Sequence, residues 1–218
     1  MRNILNLVAI SLVLKSPLVV SEQEKKVLFG DTHLHSSYSF DAFLNNNHSA
    51  DPDTAYRFAK GQPVVHPFNR TRVQINTPLD FLVVSDHAEM LGVMRAVRED
   101  KFIETDLGLL GNLERWYAFR LINDAVDNNT GLAFFRRFLP QTPVIKDHTD
   151  PVKDQSNDLS GLNVFGDMRP TSKAAWDDII ESAERHNDPG KFTSFLGWEW
   201  SSIPLGANLH RVVITPDG

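Results

Sequence analysis

Four runs of apolar residues, each followed by polar residues, form the main pattern along the chain. They predict β-strands that begin near Val27, Phe81, Phe192 and Leu209. The first three runs are continuous rather than alternating, which is typical of strands buried on both faces of a parallel sheet. The pattern therefore predicts an α/β protein with polar residues at the carboxyl ends of its strands.

Local signals between the first two strands predict a helix and a hairpin. Residues 51–60 have acidic side chains in the first turn and Pro52 near the first helical position, and Gly61 lies just past the end. These are the residue types that begin and end helices. Residues 64–65 and 72–75 flank a turn and predict a β-hairpin.

The second half of the chain is mainly helical in pattern. Residues 89–128 have apolar side chains at helical spacing, and we expect Trp116 and Phe119 to belong to the core. Residues 140–170 contain several Pro and Gly residues and predict a long loop. Residues 171–187 predict a further helix.

The order of strand, polar residues and helix is that of an α/β barrel or a doubly wound sheet. In both folds, chemistry lies at the carboxyl ends of parallel strands. The stretch between the second and third predicted strands far exceeds a simple crossover of about 12 residues. We interpret about 89–189 as an insertion that roofs the active site.

The composition excludes several classes of protein. The chain has no cysteine, so disulfides, thiolate metal sites and cysteine nucleophiles are excluded. A metal would need imidazole and carboxylate ligands, which favour Zn, Mn or Fe. The net charge of −6 argues against a nucleic-acid partner, which would need clustered Lys and Arg.

The N-terminal residues 1–21 have the pattern of a signal peptide. Arg2 is followed by a mainly apolar run at 4–14, and Ser21 precedes a charged stretch. The apolar run is shorter than the roughly 20 residues that span a bilayer, so we expect no stable membrane anchor. The sequence predicts an exported protein, periplasmic or extracellular; the alternative is a buried or disordered N-terminal segment.

The first candidate ligands follow the first strand. His33 and His35 are two residues apart, so both imidazoles point the same way and can converge on one ion or a close pair of ions. Asp31 lies on the same face and could orient an imidazole. The alternative is a pair of half-exposed polar residues at a strand end.

Further candidates follow the later strands. Asp86 and His87 come after the second strand, and by themselves they favour a surface Asp-His pair over a metal site. Glu199 lies between two Trp residues after the third strand, a costly place for a carboxylate unless a cation or a hydrogen-bond donor compensates it. The alternative is an interior Glu with a structural partner. His210 opens the fourth strand and, taken alone, suits a structural role.

Taken in order, these motifs resemble the PHP superfamily (polymerase and histidinol phosphatase domains), and more specifically the exported domain-of-unknown-function 3604 family. The resemblance extends from about 28 to 214. The stretches that carry it are Phe29–Ser36, Asp51–Gly61, Pro78–Glu89 and Gly197–Trp200.

The resemblance implies a distorted (βα)7 barrel that binds two or three divalent ions (Zn, Mn or Fe) at its carboxyl-end face. Asp31 and Asp86 match supporting positions. The residues that match metal ligands are His33, His35, Asp41, His87, Glu199 and His210.

The implied activity is hydrolysis by a metal-bound hydroxide, with a small anionic substrate that is most simply a phosphate ester; another ester or a sulfated compound stays open. The family's later ligands, a further His and an Asp-x-His pair, have no counterpart in residues 27–218. We therefore expect an incomplete barrel, an N-terminal fragment that binds metal poorly and catalyses little. The alternatives are a non-catalytic exported module that binds a ligand or metal, and an inactive truncated remnant.

Overall fold

The computed structural model describes residues 25–137, 160–202 and 209–216. The predicted signal peptide and most of the predicted loop at 140–170 lie outside the described residues. In chain order the described elements are β1 (Gly30–Leu34), α1 (Phe40–Leu44), α2 (Pro52–Ala59), β2 (Val64–Val65), β3 (Arg72–Val73), β4 (Phe81–Val84), α3 (Val93–Arg98), α4 (Gly108–Asp127), α5 (Gly131–Arg136), a 3-10 helix (Ser160–Phe165), α6 (Arg169–His186), β5 (Thr193–Ser202) and β6 (Leu209–Thr215).

One curled, half-barrel sheet contains four strands in the order β1-β4-β5-β6. Strands β1, β4 and β5 are parallel, as the sequence predicted, whereas β6 is antiparallel to β5. The alternation of strand and helix thus ends at β5. The six residues 203–208 are too few for a parallel crossover, which needs about a dozen or more. The fold class, mixed α/β, is confirmed.

The predicted strand at Val27 is wrong in its position. Ladder pairing begins only at Gly30, opposite Phe81. The side chains of Val27, Leu28 and Phe29 are 71%, 54% and 70% exposed, so this apolar run is not buried. Because β1 is an edge strand of the described sheet, it pairs with β4 on one side only, whereas the apolar pattern predicted a strand with a neighbour on each side.

Two helices cover one face of the sheet. Helix α2 begins as predicted, with the Asp51 carboxylate accepting a hydrogen bond from the Thr54 amide at 2.9 Å. Helix α6 packs against both α2 and β5. Together they close a core of Tyr56, Ala59, Leu82, Val84, Ala183, Phe192 and Leu196. This core fixes the strands whose ends carry the candidate ligands.

The predicted helical region at 89–128 forms two helices, α3 and α4, which pack with α1 around a second core. Phe119 packs against that core, with its ring 5.1 Å from that of Phe102. Trp116 is 58% exposed, so its predicted place in the core is wrong. Helical spacing identified the helix but not which of its faces is covered, and Ile122 and Val126 provide the buried face.

Candidate metal centre

The sheet register brings distant residues to one place. His33 lies on β1, and His35 follows directly after that strand. His87, just beyond β4, forms a parallel bridge with Glu199, which lies within β5 rather than after it. His210 on β6 lies opposite Ser201 of β5. The carboxyl ends of three parallel strands therefore meet the start of β6.

Glu199 is the centre of this arrangement, and it is only 1% exposed. Its Oε2 lies 2.9 Å from His33 Nε2 and 2.5 Å from His35 Nε2. His87 Nδ1 lies 3.8 Å from the same oxygen, and His210 Nδ1 lies beside Oε1. Four imidazoles thus surround one buried carboxylate.

Asp41 lies on the other side of two of these imidazoles. Its carboxylate oxygens are each 3.2 Å from His35 Nδ1, and Oδ2 is 3.8 Å from His87 Nε2. The Ser39 hydroxyl and the Ala42 amide donate hydrogen bonds to Oδ1 at 2.5 and 2.7 Å. These bonds hold the carboxylate in place at the start of α1.

The electrostatics favour ionised carboxylates. Burial acts to raise the pKa of Glu199, but the hydrogen bond with His33 and the charges of the other imidazoles outweigh it and lower the pKa. At Asp41, burial also acts to raise the pKa, but hydrogen bonds with His35 and Ser39 hold it well below its usual range. For His35, burial acts to lower the pKa, and the hydrogen bond and charge of Asp41 raise it. Ionised carboxylates are the form that binds a cation.

The residues present fit a metal ion. They form three overlapping groups, in each of which the candidate ligand atoms lie within 4.8 Å of one another. The groups are His33/His35/Glu199, His35/Asp41/His87 and His87/Glu199/His210. The buried Oε1 of Glu199 has His210 Nδ1 beside it, and both residues belong to the third of these groups. Imidazole and carboxylate are suitable donors, so these groups could hold a metal ion.

The two supporting Asp residues contact backbone and hydroxyl groups instead of imidazoles. Asp31 accepts a hydrogen bond from the His33 backbone amide at 2.9 Å. Asp86 is fully buried and accepts bonds from the amide and hydroxyl of Ser36 at 2.5 and 2.6 Å. Burial raises the pKa of Asp86 to about 6, against the effect of these hydrogen bonds. Asp86 therefore joins the segment after His35 to the end of β4.

Two further residues contact the site and were not predicted. The Ser201 hydroxyl lies 2.9 Å from His87 Nδ1 and 3.1 Å from His210 Nδ1. Glu89 accepts a hydrogen bond from the Ser201 amide at 3.1 Å, and its other oxygen lies 3.6 Å from His87 Nδ1. Ser201 is two residues after Glu199, so strand alternation could have identified it. Glu89 lies in a loop, where no periodic signal exists.

Fold and site together define a mixed α/β protein with a candidate histidine–carboxylate metal centre. The chain belongs to the family described as Protein of unknown function (DUF3604), whose match covers residues 22–218. Comparisons with curated proteins and with solved structures gave no match. No helix in the described part of the chain combines the length and apolar character needed to cross a bilayer.

Proposed function

We propose that this protein is a metal-dependent hydrolase that acts on a phosphate ester and binds two or three divalent ions. The observation that carries the proposal is the buried carboxylate of Glu199 with imidazoles on all sides. Six ligand-type side chains converge within the described residues, which favours metal binding by this chain over the expected poor binding.

The residues have distinct tasks in this proposal. When bound, divalent ions activate a water molecule for attack and stabilise the charge that develops on the substrate. Glu199 lies between His33/His35 and His87/His210, so it would hold an ion together with either pair of imidazoles. The side chain of His33 is 51% exposed, which leaves this side of the centre open to substrate.

Charge balance supports an anionic substrate. The three candidate groups contain two carboxylates, Asp41 and Glu199, and otherwise only imidazoles. Three divalent ions would outweigh these two carboxylates together with the nearby Asp31, Asp86 and Glu89, which would leave the site with net positive charge despite the net charge of −6 on the whole chain. Such a site attracts a phosphate group.

We also propose that the curled sheet is part of a PHP-type barrel. Its three parallel strands present ligands at their carboxyl ends, as the barrel plan requires. The signal-peptide pattern of residues 1–21 underlies the further proposal that the protein is exported.

The test is metal analysis of the purified full chain, combined with hydrolysis of phosphate monoesters and diesters in the presence of Mn, Zn or Fe. We expect bound divalent metal and metal-dependent hydrolysis. Glu199→Gln and His35→Ala should each weaken metal binding by more than the 10–100-fold that loss of a supporting residue costs.

Glu184→Gln is the matched control, because Glu184 is an exposed carboxylate on α6. It should leave metal content and activity unchanged. A full chain without divalent metal, or a Glu199→Gln variant with normal metal content, would contradict the proposal.

A further inference from the structure

A groove lies beside the candidate metal centre, between α2 and the β2–β3 hairpin. Its volume is about 200 Å³. We call it the hairpin groove, and its lining includes Ala55 and Phe58 of α2 and Val64, Val65 and Val73 of the hairpin. Eight of the thirteen lining residues are apolar, which distinguishes the groove from the polar centre next to it, and the polar ones are His35, Ser36, Asn47, Thr54 and His66.

The walls of the hairpin groove are held by contacts outside it. Val64 is 7% exposed and pairs with Val73 across the hairpin. The Gln74 side chain donates a hydrogen bond to the Gly61 carbonyl at 2.8 Å, which joins the hairpin to the end of α2. The groove is therefore formed before any ligand binds, as is usual for small-molecule sites.

The polar side chains along the groove already have partners. Asn47 exchanges hydrogen bonds with the backbone of Ala50, at 2.9 and 3.3 Å. The Thr54 hydroxyl donates to Asp51 at 2.7 Å. A polar ligand gains little from groups that are already hydrogen-bonded, whereas an apolar ligand gains by removing the valine and phenylalanine surfaces from water.

His35 belongs to both places. Its ring nitrogens contact Glu199 and Asp41 in the metal centre, while the same residue forms part of the groove wall. A molecule whose reacting group lies at the centre can therefore extend an attached group into the groove. This shared residue is the basis for assigning the occupant of the groove to the substrate.

We propose that the hairpin groove binds the apolar alcohol portion of the ester substrate, a short alkyl chain or a single aromatic ring. The inference rests on the proposed function, since it assigns the other half of the same substrate. A cavity of about 150 Å³ suffices to bind benzene, so the groove has room for a group of this size. It selects esters by the apolar group that they carry.

The first experiment compares butyl phosphate with methyl phosphate as substrates of the metal-loaded full chain. The two leaving alcohols are similar in acidity, so the comparison isolates binding. We expect kcat/KM to be at least about tenfold higher for butyl phosphate, because each buried methylene contributes about 0.8 kcal/mol, or roughly fourfold. Equal values, in a protein that hydrolyses both, would overturn the inference and leave the proposed function intact.

Two variants test whether the preference for butyl phosphate arises in the hairpin groove. Val65 is 47% exposed, so Val65→Asn changes the groove without opening the core. It should lower the butyl-to-methyl ratio at least about threefold while hydrolysis of methyl phosphate is retained. Leu109→Asn alters an 87% exposed apolar residue on α4 and should leave the ratio unchanged. An unchanged ratio in Val65→Asn would overturn the assignment.

A second measurement does not depend on activity. Toluene binding to the metal-free full chain, followed by saturation-transfer NMR, should be detectable and should weaken in Val65→Asn. Such binding without any hydrolysis would support the groove as an apolar site and contradict the proposed function. Absence of toluene binding would overturn the inference.

Discussion

At the scale of single residues, His87 decides how the site is organised, because its two ring nitrogens face different partners. Nε2 points toward Asp41, at 3.8 Å, and Nδ1 lies 2.9 Å from the Ser201 hydroxyl. An imidazole that binds metal through one nitrogen is usually oriented by a hydrogen bond at the other. Ser201, supported by Glu89, is therefore a positioning residue for His87.

Replacing Ser201 should weaken metal binding without removing a ligand. We expect Ser201→Ala to raise the Kd for a divalent ion about 10–100-fold, because His87 loses its orienting partner. Ser201→Thr, which retains the hydroxyl, should recover most of the affinity. Titration calorimetry measures the change, and Ser194→Ala on the same strand is the control, since Ser194 bonds to the Ala183 carbonyl. Wild-type affinity in Ser201→Ala would refute the role.

At the scale of elements, the close packing of β5 between β4 and β6 positions Glu199. A Cβ on Gly197 would lie 2.6 Å from the Val213 carbonyl oxygen of β6 and 2.7 Å from Val83 Cγ1 of β4. Both distances are shorter than ordinary contacts, so only glycine permits β5 to lie between these neighbours. The position two residues before Glu199 therefore controls the spacing of three strands.

Gly197→Ala should destabilise the protein by about 1–3 kcal/mol, as expected of overpacking. Urea denaturation measures this free energy of unfolding. Because the displaced strand carries Glu199, metal affinity should fall as well. A variant with unchanged stability and unchanged affinity would show that the strands tolerate the extra atom.

Glu99, at the end of helix α3, makes a pH-dependent contribution to the stability of the fold, away from the metal centre. Burial acts to raise the pKa of Glu99, but hydrogen bonds from Lys101 and Arg95, both at 2.7 Å, outweigh it and lower the pKa. Since the folded-state pKa is lower than the unfolded value, the stabilisation is present above about pH 4.5 and is lost as pH falls through the folded-state pKa.

Glu99→Gln should therefore cost about 0.5 kcal/mol at pH 7, a value appropriate to a partly exposed ion pair. At a pH below the folded-state pKa the difference from the wild-type protein should become small. Urea denaturation at the two pH values measures it. A constant difference at both pH values would show that packing, not charge, accounts for the effect.

Elements with local signals were predictable, and those fixed by distant neighbours were not. Helix α2 and strand β4 have the predicted positions because their caps and apolar run are encoded within a few residues. The exposure of residues 27–29 and of Trp116 depends on which elements pack against them, and the neighbouring sequence does not encode this. The candidate ligands were identifiable as motifs, but the contact of Ser201 with two imidazoles requires the antiparallel register of β6.

At the scale of the whole molecule, the proposed metal centre connects all four strands of the curled sheet. Any ligand that binds only the folded chain stabilises it, by about 2.7 kcal/mol at 100 times its Kd. We expect Mn or Zn to raise the Tm by about 5–10 °C. Thermal unfolding with divalent metal and with EDTA measures the shift. Glu199→Gln is the control, and an equal rise in that variant would place the binding elsewhere.

The contact between His33 and Glu199 joins residues that are 166 positions apart in the sequence. Contacts of such separation form late, because a long loop must close first. An unfolded chain can offer an ion only ligands that are near one another in the sequence, such as His33, His35 and Asp41. The complete set of ligands exists only after all four strands of the sheet have paired. An ion bound there would therefore slow unfolding and leave the rate of folding unchanged.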